Sequence, residues 1–285
     1  MEFRGQQTAK IAAASERPLE RQVVIISGGA GAIGAAVAEV CVEAGAHVVI
    51  TDLDANRIAQ VADEINERFG ARSALGIVMD VTDEKSVRAG YAEAVRTYGG
   101  VDVVVPNAGV AHVSSIEEMN VADFRRVMDI NATGYLLFMQ QGIRVMKRQG
   151  IGGNVVISAS KNVFGPGAQF GAYSASKAAG HQLGKVAAIE LAPAGIRVNM
   201  INADAVFGEG KRRSGLWAEV GPSRAKSRNM DEDELPEYYR GRNLLKARVC
   251  GYHVGNAVVF FASNATPTTG ATLPVDGGLV DAFPR

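Results

Sequence analysis

Val23-Val24-Ile25-Ile26-Ser27-Gly28-Gly29-Ala30-Gly31-Ala32-Ile33-Gly34 decides the fold. Four β-branched residues in a row read as a strand buried on both faces, since a half-buried strand would alternate apolar with polar. The glycines end it in a tight turn. From Ile33 to Ala44 the apolar spacing is helical, and it stops at Gly45, a natural C-cap. In this setting the loop is a candidate phosphate cradle. Glycine lets the backbone approach a pyrophosphate, and a helix N-terminus presents unpaired N–H groups and the positive end of its dipole. A plain tight turn uses the same glycines, but the position between strand and helix favours the cradle.

The unit recurs along the chain. Strand-like runs lie at His47–Thr51, Ala74–Met79, Val101–Val105, Asn154–Ser158 and Ile196–Ile201, with helical stretches at Ala55–Phe69, Asp83–Tyr98, Val121–Arg148 and Ala172–Leu191. Parallel strands need crossover helices, so the alternation predicts a single doubly wound α/β domain of Rossmann type, a parallel sheet with helices on both faces. The domain is expected over residues 21–285, after a flexible N-terminal arm at 1–20. Residues 204–247 break the rhythm with charge, Gly208, Gly210, Gly215, Gly221 and Pro222, and are expected to be an irregular substrate lid. A helix resumes at Tyr252–Ala262, and Ala271–Val275 reads as a last strand.

Composition narrows the function. Lys and Arg number 30, as do Asp and Glu, so the formal charge is zero. That argues against nucleic acid or an anionic membrane as partner, since both want a basic surface. Apolar residues make up 47%, enough for a large core. Cys41 and Cys250 read as free thiols of a reducing compartment, and the four histidines show no metal-ligand spacing. There is no apolar leader at the start and no 18-residue apolar run. The expectation is a cytoplasmic protein with no bound metal, acting on a small molecule.

Candidate site residues gather at the C-terminal ends of the strands, where open α/β sheets bind ligands. Asp52 ends the second strand and can accept hydrogen bonds from the adenosine ribose. Its charge would repel a 2′-phosphate, which favours NAD over NADP; the nearest basic residue, Arg57, falls in the following helix. Asp54 is the better helix cap. Asp80-Val81 and Asn107-Ala108-Gly109 close the next two strands. Tyr173 and Lys177 are four apart on one expected helix and so share a face. Free tyrosine titrates near ~10, and a nearby ammonium favours the phenolate, which makes the pair a candidate acid/base. Ser160 follows the strand that feeds this helix. Asn131 lies within a long helix, where a surface asparagine is the bland reading.

With these motifs in place, Val23 to Gly278 resembles the classical short-chain dehydrogenase/reductase family. The segment Ser27–Gly34 matches the family's cofactor loop, Asp80-Val81 its adenine contact, Asn107-Ala108-Gly109 its sheet-supporting motif and Val275-Asp276-Gly277-Gly278 its C-terminal signature. Asn131, Ser160, Tyr173 and Lys177 match the catalytic tetrad. The resemblance implies an NAD(H)-dependent oxidoreductase acting on a secondary alcohol or carbonyl of a small sugar, polyol or hydroxy acid, and assembled as a homodimer or homotetramer. It implies that Ser160 orients the substrate oxygen, Tyr173 is the acid/base, Lys177 also binds the nicotinamide ribose, and Asn131 holds a relay water. Its cofactor residues are Gly28, Gly31, Ile33, Gly34, Asp52, Leu53, Asp80, Val81, Asn107, Ala108, Gly109, Tyr173, Lys177 and Val206. More narrowly, Ser158-Ala159-Ser160-Lys161-Asn162, Asn202-Ala203-Asp204-Ala205-Val206 and Ala282-Phe283-Pro284-Arg285 are similar to the dehydrogenase half of bacterial bifunctional rhamnulose-1-phosphate aldolase/alcohol dehydrogenases.

The chain departs from the family at Ala32, in place of a loop glycine, at Pro106, and at Ala203-Asp204, in place of Pro-Gly. Two alternatives are a sugar-nucleotide epimerase or dehydratase of the extended subfamily and a catalytically inactive NAD-sensing protein. The glycine spacing and modest tail argue against the first, and the complete tetrad against the second. In the lid, Lys211, Arg212, Arg213, Arg224, Lys226 and Arg228 are either a solvated charged loop or a clamp on an anionic substrate, with Trp217 as an apolar cover.

Overall fold

The computed structural model describes residues 17–209 and 212–283. Seven strands form one parallel sheet: Val23–Ser27 (β1), His47–Asp52 (β2), Ala74–Val78 (β3), Val103–Val105 (β4), Gly153–Ser158 (β5), Ile196–Ala203 (β6) and Thr272–Val275, which is β9 because a short hairpin, Gly208–Glu209 (β7) with Arg212–Arg213 (β8), precedes it. Their order is β3-β2-β1-β4-β5-β6-β9. Val24 pairs with Val48 on one side and Val103 on the other, so the chain reverses its winding between β1 and β4. That switch point opens a crevice at the C-terminal strand ends.

Both faces of the sheet are covered, which is why β1 reads as continuous apolar sequence. Val24 and Ile26 pack with Ala32–Glu43 (α1), Ala55–Phe69 (α2) and Gly251–Ala262 (α9). Val23 and Ile25 face the opposite way, toward Glu84–Tyr98 (α3), Gly134–Gln149 (α5) and Gly171–Leu191 (α6). Residues in these two cores are almost fully buried, and removing one large side chain there costs about 2–5 kcal/mol.

The structure corrects the sequence reading in three places. The single helix expected at Val121–Arg148 is two, Val121–Met128 (α4) and α5, joined by a π-helical turn at Asp129–Thr133. The widened turn contains Asn131, whose side chain bonds elsewhere in the fold. Residues 204–247 are not irregular. They hold the β7–β8 hairpin, Gly215–Lys226 (α7) and Leu235–Arg242 (α8). Glycines and Pro222 suggested a loop, but Ser214 caps α7, and Trp217 stacks on Phe207 at 4.4 Å and meets Tyr239 at 5.1 Å. Residues 1–16 and Lys211 lie outside the described residues, as do the side chain of Arg213 and Pro284-Arg285 of the terminal motif. Among the described residues, packing already includes Leu19, ahead of the Arg21 boundary: its side chain is buried and its N–H donates to Ala44 O at 2.9 Å.

Candidate active site

Two connected cavities occupy the crevice. The larger, of about 500 Å³, is a groove running from the β1–α1 loop past the ends of β2, β3 and β4 to α6. The smaller, of about 110 Å³, lies beyond it, under α7 and α8. Ile33, Ala159 and Tyr173 line both, so Tyr173 stands where the groove meets the pocket.

Glycines let the loop at the head of the groove pack tightly on its neighbours. Gly28 has φ +62°, and a Cβ on it would lie 2.7 Å from Ala108 Cα. A Cβ on Gly34 would lie 2.2 Å from Gly28 O, so this glycine lets α1 close onto the loop. Asp54, Asp83 and Asn120 cap α2, α3 and α4 with their side chains, whereas α1 begins at Gly31 with no side-chain cap. Its first turn therefore keeps amides for an anion. Asn107 binds the loop to β4: its Nδ2 donates to Ser27 O and Gly28 O, and Ser27 Oγ accepts from the Asn107 and Ala108 amides.

Of the expected cofactor residues, Gly28, Gly31, Ile33, Asp52, Leu53, Asp80, Val81, Asn107, Ala108, Gly109, Tyr173 and Lys177 line this groove. Gly34 instead faces Gly28 O, and Val206 lines the smaller pocket. Asp52 is oriented by the N–H groups of Ala30 (3.2 Å) and Leu53 (2.8 Å). Arg57 reaches the groove from α2 despite its helical position. Ala32 is outside the lining, so its methyl does not narrow the cradle.

The tetrad converges at the junction. Asn131 is fully buried; its Oδ1 accepts from the Val110 N–H, and its Nδ2 donates to Val110 O and Ser176 Oγ. This side chain is thus saturated by protein and ties the π turn to α6 and the loop after β4. Lys177 Nζ donates to Tyr135 Oη at 2.6 Å and Ser158 O at 2.9 Å. It stands 5.7 Å from the Tyr173 ring centroid. Burial lowers the Lys177 pKa to about 7. Burial also raises that of Tyr173, against the downward pull of a hydrogen bond from Ser160. The expected lowering of Tyr173 by Lys177 is therefore not what the protein alone produces: burial dominates, and the downward pull comes from Ser160. Tyr135 was missed from sequence because it reads as one more apolar helix residue. Only the fold brings its hydroxyl to Lys177.

The smaller pocket holds Ser160 and Tyr173 on one wall, and Ser214, Leu216, Trp217, Arg224 and Tyr239 on the other. Asp204, at the end of β6, pairs with Arg242 at 3.2 Å. Arg212, expected as a substrate clamp, is turned away from the pocket and pairs with Glu39 of α1 and with Glu64 of α2 at 3.1 Å. Lys226 is exposed, and Arg228 lies over the Tyr238 ring at 5.1 Å. No cluster of three or more potential metal ligands occurs among the described residues.

Comparisons with known proteins agree with this architecture. A family profile described as short chain dehydrogenase matches residues 22–214. An uncharacterized oxidoreductase of Bacillus subtilis, YuxG, is 36% identical over 95% of this chain, which spans 39% of YuxG's own length. Sorbitol-6-phosphate 2-dehydrogenase of Escherichia coli is 31% identical over 91% of this chain and 98% of its own. The crystal structure of an NAD⁺-bound xylitol dehydrogenase superposes with a TM-score of 0.83, at 27% identity over 91% of this chain and 99% of that one.

Proposed function

The chain is an oxidoreductase of the short-chain dehydrogenase family, and on that premise we propose that it uses NAD(H) to interconvert a secondary alcohol and a carbonyl on a small sugar, polyol or hydroxy acid. The observation that carries this reading is the position of Tyr173, shared by a groove shaped for a dinucleotide and a small pocket for its partner. The groove fits a dinucleotide in this chain's own terms: an uncapped helix N-terminus, Gly28 and Gly31 lining it without side chains, and Asp52 where the second strand ends.

NAD(H), when bound, supplies the hydride acceptor or donor. The protein does the rest. Ser160 holds the substrate oxygen near the Tyr173 hydroxyl. Tyr173 takes the alcohol proton during oxidation and returns it during reduction. Lys177, fixed by Tyr135 and Ser158, places its ammonium at the edge of the groove, where it can bind the nicotinamide ribose and stabilise a phenolate on Tyr173. Asn131 secures the π turn with its saturated side chain, which leaves its backbone carbonyl to hold the relay water. Residues 204–247 act as the lid, with α7 and α8 excluding water from the pocket.

The names of two relatives, sorbitol-6-phosphate 2-dehydrogenase and xylitol dehydrogenase, support a polyol-like substrate. The alignment to part of the longer YuxG supports the likeness to the dehydrogenase half of bifunctional rhamnulose-1-phosphate aldolase/alcohol dehydrogenases. Two unpaired cysteines, Cys41 and Cys250, fit a reducing cytoplasmic setting. The test follows absorbance of NADH and NADPH with a panel of sugars, polyols and hydroxy acids. NAD should be preferred over NADP by roughly tenfold or more, the worth of one charge-assisted hydrogen bond. Asp52→Ala, which leaves Arg57 in the groove, should erase that preference. A wild-type preference for NADP would refute the cofactor reading.

A further inference from the structure

The pocket beside Ser160 and Tyr173 is cationic without a matching carboxylate. Among its lining residues the charged ones are Lys161, Arg224 and Asp204. Asp204 is already taken, since Arg242 meets both its carboxylate oxygens at 3.2 and 3.3 Å. Neither Lys161 nor Arg224 makes an ion pair with a described residue. Lys161 Nζ donates to Gly165 O at 2.8 Å. Arg224 is 3% exposed; its Nη1 donates to Ala168 O at 2.8 Å and its Nε to Tyr239 Oη at 3.2 Å. The Phe170 ring lies 4.5 Å from its guanidinium carbon. No described residue accepts a hydrogen bond from its Nη2.

A buried cation without a counter-charge is costly, and a ring face and neutral acceptors compensate it only in part. Lys161 carries the strain of this arrangement: burial first, then the nearby Arg242, lower its pKa to about 8, and the pull of Asp204, shared with Arg242, offsets this only in part. Both cations border the cavity that receives the substrate. Lys161 immediately follows Ser160, and Arg224 reaches in from α7 on the opposite wall.

We propose that Lys161 and Arg224 form a subsite for an oxyanion carried by the substrate, a carboxylate or a phosphate, which supplies the pocket's missing negative charge. The inference rests on the dehydrogenase reading above and narrows its substrate class. Lys161 provides a compact charge from the Ser160 wall, and the free edge of Arg224 donates from the lid, so the bound anion would join lid to sheet.

Two measurements test it. The first compares kcat/KM for matched alcohols, lactate against lactamide and glycerol 3-phosphate against glycerol, with wild type, Lys161→Met and Arg224→Lys. The wild type should favour the anion in at least one pair by about tenfold or more, and that ratio should fall by about tenfold in Lys161→Met. The pair that responds identifies carboxylate or phosphate. Arg224→Lys keeps the charge, so a partial loss is expected; if it does not fold, Lys161→Met carries the test. The second measures Tm of each protein in NAD with malonate, inorganic phosphate or neutral malonamide. Malonate or phosphate should raise the wild-type Tm by at least about 2 °C, malonamide should not, and the rise should vanish in Lys161→Met. A neutral preference in both pairs, or an anion preference that Lys161→Met leaves intact, overturns the subsite while the dehydrogenase reading stands. If no alcohol is turned over, that reading falls and the thermal shift alone decides: an anion-specific rise lost in Lys161→Met upholds the subsite, and no rise overturns it.

Discussion

Tyr173 works in an environment that opposes its ionisation. Burial raises its pKa, only a hydrogen bond from Ser160 counters this, and Lys177 spends its closest contacts on Tyr135 and Ser158. Burial therefore favours the protonated phenol in the protein alone. Tyr173→Phe keeps the ring that packs edge-on against Phe170 at 5.8 Å and removes the hydroxyl. Steady-state kinetics should show kcat lowered at least about a hundredfold, the usual scale of acid–base help, with NAD affinity retained in a fluorescence titration. A near wild-type kcat would remove Tyr173 from the proton's path. Tyr173, Lys177 and Ser160 were legible in the sequence because chemistry and spacing mark them together. Tyr135, Lys161 and Arg224 carried no such mark, since an aromatic within a helix and isolated cations have bland explanations that only contact geometry displaces.

At the scale of the element, the β1–α1 unit shows how local sequence becomes a binding feature. The strand, the turn and the helix are each encoded locally, and Gly34 makes them fit together. Gly34→Ala would place a methyl against Gly28 O, where backbone on both sides cannot yield. Overpacking of this kind costs typically 1–3 kcal/mol, so about that loss is expected in urea unfolding, with weakened NAD binding. Gly31 has φ −78°, and a Cβ on it would meet only Gly28 O at 3.3 Å. Gly31→Ala should therefore unfold at a urea midpoint closer to wild type. Equal destabilisation by both would show that the close approach at Gly34 is not the reason for its glycine. The π turn is the opposite case. Its five residues, Asp129 to Thr133, have no local signature, and the extra backbone residue is explained only by the three hydrogen bonds that Asn131 makes to Val110 and Ser176.

The whole molecule leaves apolar surface uncovered. The apolar stretch Tyr135-Leu136-Leu137-Phe138-Met139 of α5 is mostly core: Tyr135, Phe138 and Met139 are buried, and only Leu136 is exposed. On α6, by contrast, Val186 is 43% and Ile189 78% exposed. Apolar helix faces of this kind usually pack against another copy. Light scattering at micromolar concentration should give a dimer or tetramer mass, and Val186→Asp with Ile189→Asp should reduce it. A wild-type monomer would refute the assembly.

By itself the sequence determined the doubly wound sheet, the glycine cradle, Asp52 at the second strand end, and the Tyr173–Lys177 pair. These rest on short-range order: runs of β-branched residues, helical spacing, turns and residues a single helical turn apart. Only the tertiary structure decided which faces of the long helices are buried, that α7 and α8 fold over the pocket, and that Arg212 belongs to an ion-pair network while Arg224 borders the pocket. The reason is the same in each case. A charge or an aromatic ring has no fixed role until folding sets what surrounds it, and Arg212 and Arg224, twelve residues apart in sequence, reach opposite fates because one meets Glu39 and Glu64 and the other meets a cavity.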